Sequence, residues 1–139
     1  MPYSFGTRFG GEVGTNPEEL IASAHAGCFA MAVAMELEKR GYEPESLEAD
    51  ARTSLVQENS HWMIKAVHLT LTGIVPEISE SEFALVAKEA KENCPVSRVL
   101  NAEISLEATL SSKSANKSVH KTDGHNRKPD TTQSASSAR

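Results

Sequence analysis

The feature that most constrains the fold is a long apolar run, LIASAHAGCFAMAVAM, which no charged side chain interrupts before Glu36. Asn16 suits the N-cap of a helix, Pro17 suits its first position, and Glu19 completes a capping-box pattern. Gly41 supplies a C-terminal stop. Because a helix that is apolar on nearly every face must be buried all round, we predict a central helix of more than twenty residues surrounded by protein.

Two segments after this helix alternate apolar and polar residues with the period of a half-buried strand. They run from Ser46 to Gln57 and from His61 to Ile74. The residues between them, Glu58-Asn59-Ser60, are typical of the turn of an antiparallel hairpin. The sequence therefore predicts a two-stranded hairpin directly after the central helix.

A second helix and a final strand follow the hairpin. The helix starts after Ser79, and its single apolar stripe, which predicts a position on a surface, comprises Phe83, Val86, Ala87 and Ala90. It stops near Asn93, because Pro95 disfavours helical geometry at the preceding residue and itself opens a short helix through Leu100. With a last strand from Glu103 to Leu110, the order of elements predicts an α+β domain with a mainly antiparallel sheet.

Composition restricts the functional classes. The chain has 139 residues, which suits one domain, and a formal net charge of −5, which argues against nucleic acid or an anionic membrane as a partner. No uncharged run of about 18 apolar residues and no secretory leader are visible, so we expect no membrane span and no export signal. Two cysteines in such a chain indicate a cytoplasmic protein rather than a disulfide scaffold.

Residues 111–139 differ in composition from the rest. They carry six Lys or Arg against two Asp, and no Leu, Ile, Met or aromatic residue. Such a segment cannot bury enough surface to offset its ordering entropy, so we expect a folded domain over residues 1–110 and a disordered basic tail over 111–139. A short basic interaction arm is the alternative, which the scattered charges favour less.

Both cysteines are candidates for chemistry. Cys28 lies in the middle of the apolar helix, where a free cysteine is often only a small buried hydrophobe. Cys94 lies at the expected N-cap of the short helix that Pro95 begins, and the amides and dipole of a helix N-terminus lower a thiol pKa. Position alone therefore favours Cys94 as the more reactive thiol.

Other chemistries have less support. His25 lies one turn before Cys28, which is compatible with a Cys–His nucleophile pair, although a core histidine with a satisfied hydrogen bond is the favoured interpretation. The cysteines are far apart in the sequence and lack metal-ligand spacing, and the glycines near the N-terminus do not match a phosphate loop. We expect neither a metal nor another cofactor.

Two stretches of the chain resemble the OsmC branch of the OsmC/Ohr hydroperoxide reductases. The first is PYSFGTRFGGEVGTNPEELIASAHAGCFAMAVAMELEKRGY and the second is NCPVSRVLNAEISLEATL, and they include both cysteine contexts, AHAGCF and CPVS. The resemblance covers roughly Pro2 to Leu110 and does not extend into the tail. It implies an OsmC-like homodimer whose long helices pack back to back, with the active sites at the dimer interface.

The resemblance also implies roles for four residues. Cys28 matches the peroxidatic nucleophile and Cys94 the resolving cysteine, while Arg8 matches the active-site arginine and Glu18 the glutamate that orients it. The implied reaction reduces an organic hydroperoxide to an alcohol through a Cys28 sulfenic acid and then a Cys28–Cys94 disulfide. An external dithiol must reopen that disulfide, and lipoyl groups serve this purpose in the family.

The spacing of these residues adds a geometric expectation. Glu18 and Cys28 are ten residues apart on one helix, which separates them by about 15 Å at 1.5 Å per residue. We therefore expect each site to combine Cys28 and Cys94 of one chain with Glu18, and with it Arg8, of the partner chain.

The N-terminus departs from the family pattern, because the strands that normally precede the PYSF-like segment are missing from this chain. We interpret the chain as N-terminally truncated, which would leave sheet edges unpaired. Two other functional classes therefore stay open: a non-catalytic member that binds a hydrophobic ligand in the same pocket, and an inactive fragment. The presence of both cysteines with Arg8 and Glu18 favours the enzyme, since a binding pocket needs no redox pair.

Overall fold

The computed structural model describes residues 2–112 and 132–137. In chain order its elements are α1 (Phe5–Phe9), α2 (Pro17–Lys39), β1 (Ser46–Glu58), β2 (His61–Ile74), α3 (Glu80–Asn93), α4 (Pro95–Val99), β3 (Glu103–Leu110) and β4 (Thr132–Ser137). The four strands form one sheet in the order β3-β2-β1-β4. β1 is antiparallel to β2 and β4, whereas β2 and β3 are parallel. The predicted α+β class with a mainly antiparallel sheet is confirmed.

Helix α2 begins and ends where the sequence predicts. Asn16 Oδ1 accepts a hydrogen bond from the Glu19 N–H at 2.9 Å, as an N-cap does. The Glu19 carboxylate accepts from the Thr15 hydroxyl at 2.9 Å, whereas the predicted capping box would turn it to the Asn16 N–H. Beyond Lys39, Gly41 has a φ of +82°, a left-handed geometry in which glycine is favoured.

The burial of α2 differs from the prediction of burial all round. Its inner face forms the protein core with the sheet and α3, and Phe29 and Val33 on that face are fully buried. Its other face carries an exposed apolar stripe, here called the outer stripe, which consists of Leu20, Ala24, Met31 and Met35. Met31 is 72% exposed, because the elements of one chain cover only one side of the helix. Length and composition alone would let α2 cross a membrane, although its inner face is packed as in a core helix.

The hairpin of β1 and β2 is closed by a two-residue loop. Glu58 pairs with His61, and Asn59 and Ser60 between them have φ values of 48° and 67°. Positive φ at both positions is the type I′ geometry, whose twist matches that of the flanking strands. The turn is thus where the sequence predicts it.

One close contact fixes helix α3 on the sheet. The Phe83 ring, which is 1% exposed, lies on Gly73 of β2. A Cβ atom added at Gly73 would be 2.6 Å from Phe83 Cζ. Because glycine leaves room for the ring there, Phe83 attaches α3 to β2, while the rest of α3 packs on α2 and β3.

The structure also contains two elements that the sequence patterns do not predict. Thr132–Ser137, within the expected disordered tail, form β4 and pair with β1 from Ala49 to Ser54. The open edge of β1 offers unpaired backbone N–H and C=O groups, which pair with any extended backbone regardless of its side chains. Residues 113–131 and 138–139 lie outside the described residues, so the rest of the tail and the 1–110 domain boundary stay predictions. The second element is α1, a short helix whose N-cap Ser4 forms a capping box with Thr7.

Replacement of Phe83 tests the packing of α3. Phe83→Ala is expected to lower the free energy of unfolding by about 3–5 kcal/mol, because it leaves a cavity above Gly73. Leu85→Ala on the same helix removes a side chain that is 50% exposed and is expected to cost about 0.5 kcal/mol or less. Urea denaturation followed by circular dichroism measures both variants. Equal losses would contradict the packing described.

Candidate active site

The two cysteines meet where α2 passes the junction of α3 and α4. Cys94 S–H donates a hydrogen bond to Cys28 Sγ across 3.1 Å. Both are free thiols, with Cys94 fully buried and Cys28 partly exposed. A disulfide needs the sulfur atoms at about 2.05 Å, so they must approach by only about 1 Å.

Pro95 determines where Cys94 lies. α3 ends at Asn93, and Cys94 follows with φ −62° and ψ 120°, the extended geometry that a following proline favours. α4 then begins at Pro95, whose missing N–H is no loss at the first position of a helix. Cys94 is thus the single residue between two helices, as the sequence predicts.

The environment of Cys28 disfavours its thiolate within one chain. Burial raises the pKa of the Cys28 thiol, a hydrogen bond from the Val96 N–H opposes that rise, and the adjacent Cys94 adds to it. Within the described part of the chain, no basic side chain contributes to this balance. Cys28 in a single chain is therefore a protonated thiol near neutral pH. The amide at the start of α4 therefore lowers the pKa of Cys28. The position of Cys94 in the sequence predicts instead that this amide lowers the pKa of Cys94.

Arg8 and Glu18 form a bidentate ion pair at the start of α2. Arg8 Nε donates to Glu18 Oε2 at 2.9 Å, and Arg8 Nη2 donates to Glu18 Oε1. The carboxylate is buried, while the arginine side chain is 33% exposed. Hydrogen bonding to Glu18 raises the pKa of Arg8 further above its usual range. The pair thus presents a fixed cation at the protein surface.

Aromatic side chains surround this cation. The Phe9 ring centroid lies 5.6 Å from Arg8 Cζ, and the Trp62 ring lies 5.0 Å from that of Phe9. A shallow depression of about 280 Å³ beside Arg8 is lined by Tyr3, Ser4, Phe5, Arg8 and Pro17. The surface next to the cation is therefore suited to an apolar molecule.

The four predicted residues form two pairs rather than one cluster. Cys28 contacts Cys94, and Arg8 contacts Glu18. Glu18 lies in the first turn of α2, ten residues before Cys28 on the same continuous helix, so about 15 Å of helix separates the pairs. One chain holds the thiols and the cation apart.

A further polar contact lies beside the cysteines. His25 Nε2 is 2.6 Å from Ser97 Oγ, and the His25 side chain is fully buried. This geometry agrees with the core-histidine interpretation at Nε2, whereas Nδ1 is buried without a hydrogen-bond partner among the described residues. The sequence patterns do not identify Ser97. Its spacing could have pointed to it. Ser97 follows Cys94 by three residues, just as His25 precedes Cys28 by three.

Comparison with known proteins gives one consistent result. The family model for OsmC-like proteins matches residues 9–109. The chain is 46% identical over 112 residues to peroxiredoxin OsmC of Escherichia coli (strain K12), which covers 81% of this chain and 78% of that protein. It is 29% identical over 100 residues to the organic hydroperoxide resistance protein OhrB of Bacillus subtilis (strain 168), which covers 72% of each.

Solved structures share the fold. The crystal structure of OhrB of Bacillus subtilis matches with a TM-score of 0.59 and 25% identity over 72% of this chain and 74% of that one. An OsmC-like protein of unknown function from Vibrio cholerae matches with a TM-score of 0.61 and 21% identity over 66% of this chain. The chain spans 62% of the length of that Vibrio protein, and this likeness concerns the fold alone.

The sulfur contact predicts how the protein responds to a thiol oxidant. One equivalent of diamide is expected to form an intramolecular Cys28–Cys94 disulfide, because the two Sγ atoms are already 3.1 Å apart. Intact-mass analysis detects it as the loss of two hydrogen atoms, and Cys94→Ser is expected to abolish that loss. A product linked mainly between chains would contradict the contact.

Proposed function

This chain belongs to the OsmC-like family and is a peroxidase-type enzyme, and we propose that it reduces organic hydroperoxides to alcohols through a Cys28–Cys94 redox cycle. The observation that carries the proposal is the 3.1 Å contact between Cys28 Sγ on α2 and Cys94 Sγ at the junction of α3 and α4. Among its relatives, the Escherichia coli protein is named a peroxiredoxin and the Bacillus subtilis protein an organic hydroperoxide resistance protein.

The proposed cycle has three steps. The Cys28 thiolate attacks the distal oxygen of the hydroperoxide, the S–O bond forms as the O–O bond breaks, and the leaving alkoxide takes a proton to become an alcohol. The Cys94 thiol then condenses with the Cys28 sulfenic acid, which forms the S–S bond and releases water. An external dithiol reopens the bond by exchange and becomes a disulfide itself. A lipoylated protein has the chemistry for this role.

The first step needs a thiolate, and one chain alone does not favour it. Burial raises the pKa of Cys28, and the cation Arg8 belongs to the other pair. An adjacent arginine would lower the thiol pKa and polarise the hydroperoxide. We therefore assign the complete site to a homodimer, in which Cys28 and Cys94 of one chain lie beside Arg8 and Glu18 of its partner.

The outer stripe of α2 supports this dimer. Exposed apolar side chains at helical spacing indicate a face that another surface covers. If two copies of α2 pack antiparallel about a two-fold axis near Ser23, which lies midway between Glu18 and Cys28, each Cys28 lies opposite the partner's Glu18. Ala24 and Gly27 are small enough for the helices to approach closely there.

Mixed dimers test the composite site. A dimer of one Cys28→Ser subunit and one Glu18→Ala subunit contains one complete site if the pairs meet across the interface, and none if they act within a chain. We expect each homodimer to be impaired and the mixed dimer to regain up to half of the wild-type rate. Differently tagged subunits allow purification of the mixed species. No recovery would count against the composite site.

The pH dependence tests the role of Arg8. Removal of the partner's cation by Arg8→Gln leaves the raised pKa of Cys28 uncompensated, so the thiolate fraction at neutral pH falls. The midpoint of the rate against pH is expected to move upward by about one unit. Arg52→Gln, which changes an exposed arginine of β1, is the control and is expected to leave the midpoint in place. An unmoved midpoint in Arg8→Gln would refute the role.

Consumption of cumene hydroperoxide in the presence of dithiothreitol tests the activity itself. We expect consumption that Cys28→Ser abolishes. A folded protein without consumption would favour the non-catalytic alternative, a protein that binds a hydrophobic ligand, while an unfolded protein by circular dichroism would identify an inactive fragment.

Free thiols also fit the reducing cytoplasm, which is the location we propose.

A further inference from the structure

A partly buried hydrogen bond joins α2, which holds Cys28, to α4, the helix that follows Cys94. His25 Nε2 on α2 lies 2.6 Å from Ser97 Oγ on α4. Burial lowers the pKa of His25, so its imidazole is neutral near neutral pH. A neutral ring bonds to a hydroxyl but offers no counter-charge to a Cys28 thiolate. The contact is therefore a link between helices rather than a means of activating the nucleophile.

This link lies one helical turn from the sulfur contact on both sides. His25 precedes Cys28 by three residues, and Ser97 follows Cys94 by three, so both links join neighbouring positions of the same segments. The residue number rises from His25 to Cys28 on α2, while it falls from Ser97 to Cys94 on the facing segment. The two segments are therefore antiparallel where they meet. Both contacts thus define the same register of α4 on α2.

Helix α4 needs such an anchor. It has five residues and none of its side chains is fully buried. Its own backbone bonds include Arg98 N–H to the Cys94 carbonyl and Leu100 N–H to the Val96 carbonyl, and helices this short are unstable without outside contacts. The same segment supplies the Cys94 S–H and the Val96 N–H that reach Cys28 Sγ. A shift of α4 would move both donors together.

We infer that His25 and Ser97 are a positioning pair that holds α4 in the register at which Cys94 meets Cys28, an inference that rests on the proposed redox cycle. Neither residue reacts. The pair matters most after the first step, when the Cys28 sulfenic acid either condenses with the Cys94 thiol, with loss of water, or meets a second hydroperoxide. That second molecule would transfer an oxygen atom, leaving a sulfinic acid and an alcohol.

Three serine variants test this pair. Ser97→Ala removes the hydroxyl, and Ser97→Thr keeps it. Ser105→Ala is the matched control, because Ser105 Oγ lies 2.7 Å from His68 Nδ1 in a histidine–serine contact between β3 and β2 that does not involve the cysteines. Circular dichroism establishes that each variant is folded.

Two measurements are made on each variant. In glutathione redox buffers, Ser97→Ala is expected to shift the Cys28–Cys94 equilibrium toward the dithiol by about fivefold, the factor typical of one lost hydrogen bond. With excess cumene hydroperoxide, intact-mass analysis is expected to show a larger sulfinic fraction relative to disulfide. Ser97→Thr is expected to restore wild-type values, and Ser105→Ala to retain them.

The outcomes separate the pair from the activity. If Ser97→Ala matches Ser105→Ala in both measurements, or if Ser97→Thr is as impaired as Ser97→Ala, the positioning role is overturned. If the wild type consumes no hydroperoxide but Ser97→Ala still shifts the glutathione equilibrium, the pair holds the cysteines together and only the proposed peroxidase cycle fails.

Discussion

The site depends on the packing of α2 against the segment that joins α3 to α4. Cys28 lies near the middle of α2, where burial raises the pKa of its thiol. The segment supplies Cys94 at the one position that Pro95 excludes from either helix. The register of these two elements brings the sulfur atoms within 3.1 Å of each other.

Much of this fold could be predicted from local patterns. Asn16, Gly41 and Pro95 set helix boundaries through backbone geometry that depends on near neighbours, and alternation in β1 and β2 reports which side of the sheet is buried. Such patterns do not predict α1, because five residues with a glycine inside show no helical periodicity. They do not predict β4 either, because it pairs through its backbone and its sequence has no alternation of apolar and polar residues.

Two contacts of the candidate site could be expected from the sequence, because the family resemblance pairs Cys28 with Cys94 and Arg8 with Glu18, and both contacts are present. Helix rise alone separates Glu18 from Cys28. The catalytic roles of these four residues stay a prediction. The contacts that shift the pKa of the Cys28 thiol could not be predicted in this way. Whether the Val96 amide reaches one cysteine or the other depends on the rotation of α4 about its axis, which no spacing along the chain encodes.

The parallel pairing of β2 with β3 has a consequence for how the molecule is assembled. Parallel neighbours need a long crossover, and in this chain the crossover consists of α3, Cys94 and α4. That excursion carries Cys94, and it packs on α2 as well as leading into β3. The same stretch of chain that links two parallel strands therefore also brings the second thiol to Cys28.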